Sequence, residues 1–347
     1  MPGDWPFFYN AAQVLTGRTG TSPLGVYIAS PSTWIGPPAL ILAVPVAMLP
    51  DAVRGWTAVT VLGACLPLLC YVLERARRAG GPPDPMTSLT VLSGGAFAAI
   101  YWWRIAAEFS HPEDVLALGV AFLVLCWSRT RDGQWIPWLS AGLLGLAAAG
   151  KPWAVGLLPL AVLWSAPVLV RCLRVATAAF VAAACWAPFL LGAPGTLSAL
   201  AAARLDVWWI SPLALLGLGG DPFPGWVRPL QFVLVLTLGS LAVLRGQPHL
   251  VPFATVAGRV ALDPQAWNYY FATVTVACLA VDVLRRSNRG PWLTMVTVFV
   301  LYDARWLSNA WWVVAALQTV PLLVLLVLLT GWRPRVGRQV AYRIRTS

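Results

Sequence analysis

Three of the thirteen acidic residues, Glu108, Glu113 and Asp114, fall within seven positions, beside His111, one of only two histidines. They belong to the stretch Glu108-Phe109-Ser110-His111-Pro112-Glu113-Asp114 at the head of an apolar run. Ionisable groups where a helix enters a bilayer are costly, which makes them functional candidates. A carboxylate so placed can take a proton from a hydroxyl, a contribution of roughly a hundred- to ten-thousandfold to a transfer reaction. A cation can hold the charge that develops on a leaving anion. Lys151, isolated between two apolar stretches, and Arg259, which interrupts a third, have the charge for that task. The segment Asp263-Pro264-Gln265-Ala266-Trp267-Asn268-Tyr269-Tyr270 adds side chains of the kind that hydrogen-bond a sugar or a phosphate.

Each group also has a plain structural reading. Ser110 and Glu113 fit the S-x-x-E capping box, and Pro112 suits a first helical turn, so both could serve only to satisfy backbone amides. That leaves Glu108, His111 and Asp114 unexplained. A lone lysine between apolar stretches ordinarily snorkels to the interface. The aromatics of the Asp263 segment, like most of the twenty tryptophans, suit the headgroup region as anchors.

The elements that must position these residues are transmembrane. Hydrophobic residues make up 59% of the chain and charged ones 11%, less than half the charged fraction of a soluble domain. Apolar stretches run over 35–50, 56–73, 87–103, 114–128, 135–150, 152–169, 175–191, 226–244, 266–284, 291–304 and 310–331, with a shorter one at 249–261. Lipid admits only helices or closed barrels. The expectation is therefore an all-α, polytopic helical membrane protein with about 10–12 transmembrane or re-entrant helices. Residues 1–34 read as an extracytoplasmic loop with a juxtamembrane helix, 35–331 as the helical domain with an external loop at 192–225, and 332–347 as a basic cytoplasmic tail.

The net charge of +11 resides in arginine clusters between apolar stretches, which points to topology rather than to nucleic acid. If the tail is cytoplasmic and every stretch from 87 onward spans, the clusters at 75–78, 129–131, 171–174, 285–289 and 333–345 all face the cytoplasm. His111, Lys151, Asp263 and the 192–225 loop then face outward. A conflict remains at the N-terminus. Three apolar stretches separate Asp4 from His111, whereas a shared face needs an even number of spans. The 35–50 stretch, short and carrying Pro37, Pro38 and Pro45, is the natural candidate for a re-entrant segment.

Other chemistries are disfavoured. Gly145 to Lys151 imitates a phosphate-binding loop, but Pro152 stands where Ser or Thr would hold magnesium, and an apolar helix precedes it instead of a strand. The six cysteines lie in or beside apolar stretches without a CxxC pair, which indicates neither a disulfide framework nor a zinc site.

Gly3 to Phe8, Tyr27 with Gly36-Pro37, His111 to Asp114, Gly150 to Trp153 and Asp263 to Tyr270 together resemble actinobacterial integral-membrane glycosyltransferases of the GT-C superfamily, similar to the polyprenol-phosphate-mannose-dependent mannosyltransferases. The resemblance implies a multi-pass cell-envelope enzyme of the plasma membrane. It would transfer a sugar, mannose by preference, from a polyprenyl-phosphate donor to a lipid or glycan acceptor on the extracytoplasmic face. It implies Asp4 as general base, in the first external loop, and Glu108, His111, Glu113, Asp114, Lys151, Arg259, Asp263, Gln265, Tyr269 and Tyr270 around the substrates. It implies no firm cofactor and leaves room for a divalent cation. The helix that precedes such a loop in the family is missing from this sequence, so truncation is an expectation as well. The competing readings are a transporter or flippase with a relay through His111, Glu113 and Asp114, and a non-catalytic truncated relative.

Overall fold

The computed structural model describes residues 5–31, 35–79, 85–130, 133–202, 205–265, 267–285, 290–303 and 310–331. Asp4, Arg204 and the basic tail lie outside them. The described chain is all-α, with one isolated β-bridge, between Asp206 and Pro222. Its helices are α1 (Trp5–Leu15), α2 (Val26–Ala29), α3 (Pro37–Ala47), α4 (Asp51–Arg78), α5 (Pro85–Trp103), α6 (Pro112–Thr130), α7 (Ile136–Gly150), α8 (Val168–Gly192), α9 (Thr196–Ala202), α10 (Val227–Leu244), α11 (Val251–Ala261), α12 (Asn268–Leu284), α13 (Trp292–Asp303), α14 (Trp311–Leu317) and α15 (Val320–Gly331). A π-helical turn, Arg104–Phe109, joins α5 to α6, and a 3₁₀ helix, Pro152–Val162, follows α7.

Four segments are each long and apolar enough to cross a membrane: α4, α8, α10 and the run Trp311–Thr330. Shorter apolar helices pack among them. Three apolar stretches therefore differ from the simple spans that hydropathy suggests. Residues 152–169 contain the 3₁₀ helix, the 249–261 stretch is the 11-residue α11, and the 35–50 stretch is the 11-residue α3. A helix of that length rises about 16 Å, roughly half the hydrocarbon thickness. Every residue of α11 is buried, so its apolar character comes from protein packing rather than lipid contact.

The bundle has two distinct ends. At one, Arg129 of α6 donates to Ala76 O of α4, Arg245 donates to Leu329 O of α15, and Arg174 of α8 donates to Trp164 O while lying over the Trp138 ring of α7. Burial, then Arg129 and Arg285, disfavours protonation of His249 there. The described members of the arginine clusters thus gather at one end, as the charge pattern suggests. Cations at helix C-termini, as on α4, α6 and α12, also complement the helix dipole.

The other end is built around close backbone approaches. Gly36 donates its N–H to Gly150 O at 2.9 Å. A Cβ on Gly36 would lie 1.6 Å from Ala149 O, so only glycine fits. This contact ties the start of α3 to the end of α7. Because α3 is short and α4 ends at the arginine-rich end, α3 does not cross the bundle. Residues 5–31 pack on it: Trp5, Phe8, Ala11 and Ala12 of α1 join Ala39, Leu40 and Ala43 in one apolar cluster, and the Tyr27 hydroxyl donates to Ile35 O at 2.9 Å. The N-terminal helices and His111 therefore share an end, separated by α4 and α5. That removes the conflict posed by three apolar stretches.

Candidate functional site

Two breaks in helical geometry bring the polar residues together. The π turn at the end of α5 is followed by Ser110 at φ +58°, the only non-glycine residue with positive φ among those described. A residue held in that region costs free energy and is found disproportionately at functional sites. Pro112 then starts α6 and places Glu113 and Asp114 in its first turn, where the helix dipole favours carboxylates. On the neighbouring limb of the bundle, α7 stops at Gly150. Lys151 is extended, at φ −142° and ψ 119°, which turns its side chain out of the helix path before the 3₁₀ helix delivers Trp153.

The result is a buried chain of contacts. Glu113 Oε1 lies 2.6 Å from His111 Nδ1 and accepts a hydrogen bond from Lys151 Nζ at 2.7 Å. Lys151 Nζ is also 3.7 Å from Asp114 Oδ2. Asp114 Oδ1 accepts from the Trp153 indole at 3.0 Å and from Arg259 Nη1 at 2.9 Å. Arg259 Nε is 3.7 Å from Asp263 Oδ2, and Arg228 Nη1 is 3.6 Å from the same oxygen. Glu113 and Asp114 are 0% exposed and Arg259 3%. Three carboxylates, Glu113, Asp114 and Asp263, face three side-chain cations, Lys151, Arg259 and Arg228. Isolated charges in such a place would be several kcal/mol too costly, by order of magnitude, whereas paired ones are tolerated.

An aromatic ladder adjoins these charges. Tyr269 stacks on His111 at 3.6 Å between centroids and packs edge-on against Tyr270 at 4.6 Å. Arg259 lies over the Tyr270 ring at 3.8 Å, a cation–π geometry. Phe109 and Trp267, both half-buried, continue the ladder outward to Trp208, 4.6 Å from Trp267. Trp208 belongs to the 192–225 loop. That loop also anchors on the site segment through Trp208 N–H to Pro264 O at 2.8 Å and Ser211 Oγ to Asp263 O at 2.6 Å. It covers the Asp263 segment, as its length suggests.

Most of the residues singled out by sequence converge here: His111, Glu113, Asp114, Lys151, Arg259, Asp263, Tyr269 and Tyr270. Gln265 sits at the margin, accepting from the Trp267 indole at 2.8 Å. Glu108 does not join them; it pairs with Arg104 one turn back and is partly exposed. Asp4 lies outside the described residues.

Two structural readings from sequence are corrected. The capping box does not form: Glu113 bonds His111 and Lys151 instead of a backbone amide, and Ser110 Oγ is buried without a hydrogen-bond partner among the described residues. A lysine ammonium is a stronger partner for a carboxylate than a neutral N–H. Nor does Lys151 snorkel, being 7% exposed.

Trp153, which the sequence offers only as the end of the Gly150 to Trp153 motif, and Arg228, Gln231 and Ser211, which sequence reasoning does not single out, complete the site. Gln231 bridges Arg228 Nη1, which it accepts at 2.8 Å, and Arg259 O, to which it donates at 2.9 Å. The sequence signal for Trp153 is its place directly after Lys151-Pro152; for Arg228 it is a cation where the long loop meets α10.

His111, Glu113 and Asp114 each offer a donor atom within 4.8 Å of the others, a group that could hold a metal ion. The chain matches no protein-family model, no curated protein and no solved structure.

Proposed function

We propose that the chain is a membrane glycosyltransferase that moves a sugar, mannose by preference, from a polyprenyl-phosphate donor to a lipid or glycan acceptor at the His111 end of the bundle. That end would be the extracytoplasmic one, with the arginine-rich end toward the cytoplasm. The observation that carries this reading is convergence: Gly36, His111 to Asp114, Gly150 to Trp153 and Asp263 to Tyr270, far apart in sequence, meet at one place.

In the reaction a carboxylate takes the proton of the acceptor hydroxyl, the acceptor oxygen bonds the sugar's anomeric carbon, and the bond from that carbon to the phosphate oxygen breaks, releasing polyprenyl phosphate. Asp4, directly before α1, is the proposed base. Glu113 and Asp114, already holding cations, suit positioning better than proton abstraction. Lys151 and Arg259 supply positive charge near the departing phosphate, tempered by their carboxylate partners. The half-buried Trp208 and Trp267 give a face on which a sugar ring can stack.

Transfer of radiolabelled mannose from polyprenol phosphate, in membranes carrying this chain, tests the reading. Label entering a product absent from control membranes is the expected result, and Asp4→Ala should abolish it without loss of folded protein. Normal transfer by that variant would remove Asp4 from the mechanism.

One observation favours a second reading. Contacts shorter than 4 Å run without a break from His111 through Glu113 and Lys151 to Asp114, the kind of chain of titratable groups that a proton relay in a transporter uses. Proton flux into liposomes without any sugar donor would favour it over transfer.

A further inference from the structure

An imidazole and two carboxylates within 4.8 Å form a donor set suited to a divalent ion such as Mn²⁺ or Zn²⁺. In this molecule a side-chain cation is already there. Lys151 Nζ stands 2.7 Å from Glu113 Oε1 and 3.7 Å from Asp114 Oδ2, so it sits against both carboxylates as a bridging ion would. Arg259 takes the remaining oxygen of Asp114 at 2.9 Å. A divalent ion on the same carboxylates would lie within a few ångströms of two fixed cations, and repulsion at such distances is strong in a buried site.

The acceptor capacity of the cluster nonetheless exceeds what these side chains use. Glu113 Oε2 and Asp114 Oδ2 are buried in fully enclosed residues and take no hydrogen bond among the described residues; Asp114 Oδ2 has only the longer ion-pair contact to Lys151. Carboxylate oxygens in that condition remain available to a further cation once the ammonium is gone.

We propose that the Lys151 ammonium is the resident cation of the His111–Glu113–Asp114 triad, tethered in place of a divalent metal, and that removing it converts the triad into a divalent-metal site. The positive charge at this end is then part of the chain and does not depend on the supply of metal. Besides any charge it offers to a substrate, Lys151 holds Glu113 and Asp114 side by side. The inference stands apart from the transferase reading, because its test measures no transfer.

The experiment is a Mn²⁺ titration, followed by electron paramagnetic resonance, of the full chain purified into lipid nanodiscs, with thermal melting in parallel. Lys151→Met should bind about one Mn²⁺ per chain, at least about a hundredfold more tightly than the unsubstituted protein, since a fixed positive charge about 4 Å from the ion has been removed. Its melting temperature should rise with Mn²⁺. Lys151→Arg, which keeps the charge, should gain nothing, and Glu113→Gln combined with Lys151→Met should lose the gain while keeping the charge balance. Equal Mn²⁺ binding by the unsubstituted protein and Lys151→Met, or folded Lys151→Met that binds none, would overturn the proposal. If Lys151→Met does not fold, the unsubstituted protein decides: melting unchanged by chelator and by Mn²⁺ supports a tethered cation, and melting lowered by chelator refutes it.

Discussion

The two ends of the bundle handle charge in opposite ways. At the arginine-rich end, Arg129, Arg174 and Arg245 reach backbone carbonyls, while Arg78 pairs with Glu74 near the surface with its side chain 57% exposed. At the His111 end the carboxylates of Glu113 and Asp114 have no exposed surface and each is held by a cation from elsewhere in the bundle, Lys151 just after α7 and Arg259 in α11. Where water or headgroups can reach, a single arginine needs no specific counter-ion; where they cannot, each charge must find a partner within the fold. The first end uses neutral backbone carbonyls and a surface pair one helical turn apart. The second exists only when five segments arrive together, which is the usual condition of a site built for binding or chemistry.

The most damaging change to this contrast is Arg259→Met. It leaves Asp114 buried with only the longer, 3.7 Å ion pair to Lys151, and breaking a buried pair from one side costs about 3–5 kcal/mol. Thermal melting in detergent should show a large drop, partly recovered when Asp114→Leu is added; melting unchanged by the single substitution would mean that the His111 end is not a closed charge network. Trp153→Phe is milder. It removes only the indole N–H donated to Asp114, a hydrogen bond to a charged group worth about 1.5–3 kcal/mol, and should lower stability by that order while leaving the ring packing intact. The smallest change is expected at the opposite end. Arg78→Ala deletes a 2.6 Å pair with Glu74, yet exposed pairs contribute about 0–1 kcal/mol, so melting should barely move. A loss comparable to that of Arg259→Met would erase the distinction between the ends.

Much of the site is legible in the amino-acid order alone, because a charge in an apolar chain is conspicuous. His111, Glu113, Asp114, Lys151, Arg259 and Asp263 stand out for that reason, and the arginine clusters mark the opposite end. Partnership is not legible. Arg259 and Asp114 are 145 positions apart, and their bond depends on α11 ending where α6 begins. Local rules mislead at Glu113, whose spacing from Ser110 fits a capping box; a cation arriving from α7 outcompetes the backbone amide. Hydropathy likewise does not separate α11, apolar because protein surrounds it, from α8, whose side chains are largely exposed on the bundle surface.

Composition and the run of apolar stretches are enough to point to an all-α chain with helices apolar enough to cross a membrane, to the end that carries surplus positive charge, and to the few ionisable residues too costly to be incidental. These features act through burial of apolar surface and hold whatever the helix order. Packing in three dimensions was needed to keep α3 at the His111 end, to set Glu108 apart, and to join Lys151 to Glu113 and Arg259 to Asp114. Ion pairs in a low-dielectric interior depend on distances of a few ångströms between helices remote in sequence, and those distances are set by close approaches such as that of Gly36 to Gly150.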